Sequence, residues 1–230
     1  MISVAANLRN VRARIAAAAA AHGRVAADVA LLAVSKTHPP EIIRAAHGAG
    51  QRAFGENYVQ EAVAKMDGLR DLDLEWHFIG PLQSNKSRAV AERCAWIHTV
   101  DRERIGRRLA TQRPPGLGPL NVCIEVNVSG EAAKAGVAPA DTLALARTLA
   151  PLPGLRLRGL MCVPAATADP ARQREPFRLL AGLLRELNAA GLALDTLSMG
   201  MTADLEAAIA EGSTLVRVGT GIFGPRATFP

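Results

Sequence analysis

The stretch LLAVSKTHPP (31–40) decides the fold. Leu31, Leu32, Ala33, Val34 and Ser35 form an unbroken small or apolar run, the pattern of a strand buried on both faces in a parallel sheet covered by helices. Lys36 closes the run. Pro39 and Pro40 cannot extend a strand, but proline suits the first turn of a helix, where its φ is already set. The unit is therefore strand, lysine, turn, helix.

Outward from that stretch the same unit recurs. Strands are expected over 31–35, 52–55, 76–79, 96–100, 121–128, 155–159, 196–199 and 215–218. Helices are expected over 40–49, 57–66, 84–94, 101–111, 139–150, 173–189 and 202–211, with Asn57, Asp101 and Thr202 as caps. Alternation of this kind implies parallel pairing and right-handed crossovers. An α/β fold, a single (β/α)₈ TIM-type barrel with an extra N-terminal helix, accounts for eight such units; a doubly wound open sheet is the alternative, and it lacks a GxGxxG after the first strand. In that extra helix Val4, Leu8, Val11 and Ile15 fall at helical spacing while Arg9, Arg12 and Arg14 lie elsewhere on the wheel. The absence of acid before Asp28 would also suit a mitochondrial targeting segment, but the spacing favours a helix packed over the seam behind the last strand.

Composition narrows the class. With 230 residues, 49% of them hydrophobic, one domain spanning 1–230 is expected. The net charge of +6 is spread, 27 Lys and Arg among 21 acids, and aromatics make up only 3%, so stacking platforms for single strands are scarce and no nucleic-acid partner is expected. Cys94, Cys123 and Cys162 are odd in number and far apart, with no CxxC and no histidine cluster, which fits reduced thiols in a cytoplasmic protein and no metal. No apolar run approaches the roughly 20 residues of a membrane span, so no membrane role is expected.

In a barrel the chemistry gathers just past the carboxyl ends of the strands. Lys36 holds that place after the first strand. Burial there would favour a neutral amine able to attack an aldehyde and form a Schiff base; the bland reading is a rim lysine that snorkels to water or pairs with Glu56 or Glu125. Strand seven runs into SMGMT (198–202) and strand eight into RVGTGIFG (217–224), small and hydroxyl residues that let backbone N–H groups approach a ligand. Because barrels often bind phosphate after strands seven and eight, Ser198, Gly200, Gly219 and Thr220 form a candidate phosphate cradle. Arg217, flanked by Val216 and Val218, needs a partner if buried: Glu206, Glu211, or a ligand atom that accepts without a proton of its own.

An aldehyde-capturing lysine beside a phosphate cradle describes a site for pyridoxal 5′-phosphate (PLP). The chain resembles the pyridoxal 5′-phosphate homeostasis protein family, whose fold is similar to the fold-type III barrel of alanine racemase's N-terminal domain. The resemblance is carried by AVSKTHP (33–39), FGENYVQE (54–61), WHFIGPLQSNK (76–86), NVSGEAAKAGV (127–137), GLMCVP (159–164), SMGMT (198–202) and RVGTGIFGPR (217–226). It implies that Lys36 forms the PLP Schiff base, that Ser198, Gly219 and Thr220 hold the phosphate, that Asn57 lies near the phenolic oxygen, and that Met161, Met199 and Met201 pack around the cofactor. Arg217 matches an arginine facing the pyridine nitrogen, which would keep that nitrogen unprotonated and blunt the ring as an electron sink. One departure is Thr202, Ala203 and Asp204, where the family commonly shows serine and an acidic pair.

The resemblance implies a cytoplasmic PLP-binding protein of vitamin B6 and amino-acid homeostasis, with PLP-dependent apoenzymes as partners, monomeric, and with at most weak racemase-type turnover. The alternative is a single-domain PLP-dependent amino-acid racemase, in which His77, ahead of Lys86 and Lys134, would supply the second proton carrier. Alanine racemase draws a catalytic tyrosine from an additional β domain, whereas Tyr58 here stands beside Asn57. A Schiff-base aldolase would use the lysine and cradle but leaves FGENYVQE and the arginine of RVGT unexplained.

Overall fold

The structure, a computed structural model, describes residues 3–131, 134–167 and 169–225. Ala132 and Ala133 of NVSGEAAKAGV and Arg226 of RVGTGIFGPR lie outside the described residues.

Eight parallel strands form a closed barrel in sequence order. They are β1 (Ala30–Val34), β2 (Ala53–Glu56), β3 (Glu75–Phe78), β4 (Trp96–Val100), β5 (Leu120–Glu125), β6 (Leu155–Met161), β7 (Thr196–Ser198) and β8 (Leu215–Val218). The barrel closes where β8 pairs with β1, setting Leu32 opposite Arg217 and Ala33 opposite Val218. Leu32, Ala33 and Val34 are all buried, as a strand covered on both faces requires. Around the barrel run α1 (Val4–Ala21), α2 (Pro40–Gly48), α3 (Val59–Gly68), α4 (Ser87–Ala91), α5 (Glu103–Gln112), α6 (Thr142–Leu149), α7 (Pro170–Ala189), α8 (Leu205–Ala210) and α9 (Thr220–Phe223).

The extra helix does cover the seam. Val4, Leu8, Val11 and Ile15 of α1 are buried, and α1 packs on α2, α8 and α9. Each such side chain contributes roughly 1.5–3 kcal/mol by burial. Its arginines tie it to its neighbours: Arg12 donates to the carbonyls of Ala49 and Gly50 behind α2, and Arg14 pairs with Glu206 and donates to the Thr202 carbonyl.

Several boundaries depart from expectation, and three of them have a local reason that bears on the site. β5 stops at Glu125 instead of 128, because Val126 bridges to Val137 and the chain folds back on itself there. α3 begins at Val59 behind Tyr58, with no side-chain cap, so Asn57 is released from capping. α8 begins only at Leu205: the Asp204 carboxylate accepts the Met201 N–H at 2.6 Å, closing a turn that keeps Thr202 out of the helix. The three cysteines are buried and free of disulfides, and burial pushes each thiol up to about 12. No helix among the described residues is long and apolar enough to cross a membrane.

Candidate functional site

A cavity of about 330 Å³ opens at the carboxyl ends of the strands. Lys36 enters it from the end of β1, Asn57 from β2, Arg217, Gly219 and Thr220 from β8, and Met201 from the turn after β7. Val34, Ile79 and Val163 supply apolar wall, and Thr202 and Ala203 complete the rim. A larger groove of about 500 Å³ runs between the loop after β5 and the start of α7, but none of its lining residues is buried.

Close backbone contacts set this geometry. A Cβ on Gly80 would fall 2.1 Å from the Asn57 carbonyl oxygen, so only glycine lets the chain after β3 press against the residue that presents the Asn57 amide. At Gly219 a Cβ would lie 3.2 Å from the Val34 carbonyl, just below Lys36. The Thr202 hydroxyl accepts the Gly221 N–H at 3.2 Å, joining the β7 and β8 turns across the rim. Asn57 leaves its side-chain oxygen buried without a hydrogen-bond partner, an unmatched polar atom in the wall of the cavity.

Six of the residues expected at the site therefore line one cavity: Lys36, Asn57, Met201, Arg217, Gly219 and Thr220. Met161, Met199, Ser198, Gly200 and His77 are not among the lining residues. Met161 ends β6, buried and in register with Ser198. Gly200 holds φ +95° and packs where a Cβ would sit 2.6 Å from the Ala208 Cβ, and its carbonyl accepts the Arg217 N–H at 2.9 Å. Ser198 and His77 lie inside the barrel, linked to Arg217 from below.

Arg217 is buried and meets neither Glu206, which pairs with Arg14, nor Glu211, which pairs with Arg174 and Arg178. Among the described residues no carboxylate lies within ion-pair distance of it; it donates instead to the Ser198 carbonyl (2.6 Å), the Ser198 hydroxyl (2.8 Å) and the Cys162 carbonyl (2.8 Å). The Ser198 Oγ lies 2.8 Å from His98 Nδ1, His98 Nε2 lies 2.9 Å from His77 Nδ1, and His77 Nε2 lies 2.8 Å from the carboxylate of half-exposed Glu75. Burial holds both imidazoles below their ordinary pKa; the neighbouring His77 and Arg217 push His98 further down, while Glu75 partly restores His77.

The carboxylate end fixes every proton in this chain. A carboxylate only accepts, so the neutral His77 carries its proton on Nε2 and accepts at Nδ1. His98 must then donate from Nε2 and accept at Nδ1, which takes the Ser198 hydroxyl proton. The Ser198 oxygen is left to accept from Arg217, which only donates. All links point one way, from Arg217 through Ser198, His98 and His77 to Glu75.

A family model described as alanine racemase, N-terminal domain, matches residues 5–227. A curated protein of Pseudomonas aeruginosa named pyridoxal phosphate homeostasis protein is 58% identical over 226 residues, covering 98% of this chain and 97% of its own. Its namesake in Escherichia coli K12 is 53% identical over 229 residues, covering 98% of each. Among solved structures, PipY of Synechococcus elongatus with PLP bound superposes with a TM-score of 0.84 at 39% identity, over 96% of this chain and 100% of that one.

Proposed function

The chain belongs to the pyridoxal phosphate homeostasis protein family, built on the alanine racemase N-terminal domain, and on that premise we propose that its barrel-mouth cavity binds PLP. The observation that carries the reading is the convergence of an amine, a small-residue turn and a buried guanidinium on one cavity of about 330 Å³. Bound PLP supplies an aldehyde that condenses with amines and a pyridine ring able to draw electrons. In this reading Lys36 would be the amine that holds the aldehyde end of the cofactor. Thr202, Gly219 and Thr220 receive the phosphate, the unmatched Asn57 amide meets a polar edge of the ring, and Val34, Ile79, Val163 and Met201 exclude water from its faces.

Arg217 then faces the ring nitrogen as a fixed donor. Its proton cannot be given up, so the ring is kept from becoming a strong electron sink, which favours holding the cofactor over turning over an amino acid. His77 offers no second proton carrier in the cavity, since both its ring nitrogens are engaged inside the barrel. The role proposed is a one-domain cytoplasmic monomer that stores PLP, releases it to PLP-dependent apoenzymes, and so contributes to vitamin B6 and amino-acid homeostasis. Protein incubated with PLP should turn yellow, and after borohydride reduction peptide mass spectrometry should place the adduct on Lys36. A colourless protein, or an adduct confined to other lysines, overturns the reading.

A further inference from the structure

We propose that Lys65, Glu56 and Glu61 act as a clamp that positions the Lys36 amine by fixing the residues on either side of it. Resting on the PLP reading above, the proposal concerns how the amine is presented. On one side of Lys36, the Ser35 carbonyl accepts from Lys65 Nζ at 2.7 Å and the Ser35 hydroxyl donates to Glu56 Oε1 at 2.6 Å. On the other side, the Thr37 N–H donates to Glu61 Oε1 at 2.6 Å. Lys65 joins the two halves, its ammonium 2.7 Å from both carboxylates. The cluster is deep: Glu56 is 0% exposed and Lys65 5%.

The turn so held is a strained one. The His38 N–H donates to the Ser35 carbonyl at 3.1 Å, closing a turn with Lys36 and Thr37 as its central residues. Thr37 sits at φ +65°, the one non-glycine among the described residues with positive φ. A second central residue with φ above zero is ordinarily glycine or asparagine, and a β-branched side chain there costs on the order of 1–3 kcal/mol. Such a turn persists only where its surroundings over-determine it. Here they do so through one charge cluster that grips the residues before and after the lysine, while Pro39 and Pro40 fix the exit into α2. Two buried charges and a third partly exposed one are a costly way to hold a helix to a barrel, since well-packed apolar groups of similar volume often serve as well. Their placement around a single lysine is what the clamp explains.

Aldehyde capture by this amine would replace the C=O double bond by a C=N double bond and release the oxygen as water, both of whose protons come from the neutral amine. The clamp acts on the rate of that step by fixing where the nitrogen points. In stopped-flow mixing with PLP, Glu61→Ala should lower the maximal rate of colour formation about tenfold and leave the half-saturating concentration, set by the phosphate side, within about twofold. Glu61→Gln keeps an acceptor for Thr37 and should restore most of the rate. In the Thr37→Gly background, where positive φ carries no strain, removing Glu61 should cost less than half as much on a logarithmic scale. An unchanged rate in Glu61→Ala, or an equal loss in both backgrounds, overturns the clamp. Should Glu61→Ala not fold, the wild-type protein still decides: the Thr37 amide must be protected from hydrogen exchange, and rapid exchange overturns the proposal. Wild-type protein that forms no Lys36 adduct sinks the PLP reading instead.

Discussion

The two basic residues that line the cavity, Lys36 after β1 and Arg217 on the neighbouring β8, are supported in opposite ways. Beneath Lys36 lies a cluster of full charges, one ammonium between two carboxylates, drawn from β2 and α3 close by in sequence. Beneath Arg217 lie neutral groups only, carbonyls, a hydroxyl and two imidazoles from β3, β4, β7 and the residue just past β6, and the first carboxylate in the chain is Glu75 at the far end. A buried charge can be satisfied by opposite charge or by oriented dipoles, and the two differ in what damage costs. Removing one member of the first leaves a bare charge in low dielectric; removing one of the second leaves an unmatched neutral group.

The sharpest way to break the comparison is Lys65→Met. Glu56 is fully buried, with its second oxygen already lacking a partner, and burial holds its carboxyl above the ordinary range even against the pull of Lys65. Stranding it should cost about 3–5 kcal/mol, read from the urea midpoint, and Glu56→Gln in the same chain should recover part of the loss. Little loss in Lys65→Met would mean that the charge cluster is not what holds this side.

A second test uses a carboxyl that neither arrangement neutralises. Glu125, at the end of β5, is raised from 4.5 to about 7, first by burial and then by Asp101, with Arg217 pulling the other way. A carboxyl raised on folding stabilises the native state below its unfolded pKa, and that contribution is lost as pH climbs through the folded value. Stability should therefore fall between about pH 4.5 and 7 by at most about 3 kcal/mol from this group, and Glu125→Gln should flatten that slope. Urea midpoints at several pH values measure it.

Ser198→Ala probes the neutral side with a smaller effect. The hydroxyl gives Arg217 one acceptor and gives His98 its donor, but Arg217 keeps the Ser198 and Cys162 carbonyls. The expected loss is about 1–3 kcal/mol, clearly below that of Lys65→Met. A loss of equal size would erase the distinction between charged and neutral support.

The barrel was legible because each strand is a short apolar run between turn residues, and 96–100 and 215–218 fall where the pattern puts them. Lys36 was legible for the same reason: a charge at the end of a buried run has few places to go. Side-chain direction near the strand ends was less so. Ser198 ends β7 about where the pattern puts it, yet its hydroxyl turns into the barrel and not to a phosphate cradle, while the Met201–Asp204 turn brings Thr202 to the rim. Thr202 and Asn57 both look like helix caps in sequence, and both are free of that task because their helices begin two or three residues later. The interior chain was not legible, since Glu75, His77, His98, Ser198 and Arg217 lie on four strands and meet only after the barrel closes.

The smallest effect belongs to the outer end of that chain. Glu75 is half exposed, and the hydrogen bond from His77 holds its carboxyl below the ordinary range, so its contribution is present above that range and lost as pH falls through the depressed value. Glu75→Gln keeps an acceptor for His77 Nε2–H and removes only the charge, so it should cost less than about 1 kcal/mol. The proton order should survive it where the new amide turns its oxygen, the acceptor, toward His77 Nε2–H. Imidazole ¹⁵N shifts report this directly: both His77 and His98 should carry the proton on Nε2 in the wild type and in Glu75→Gln. A proton on Nδ1 of His77 in the wild type would reverse the chain, with Ser198 then accepting from His98 as well as from Arg217, and would mean that Glu75 does not set the order.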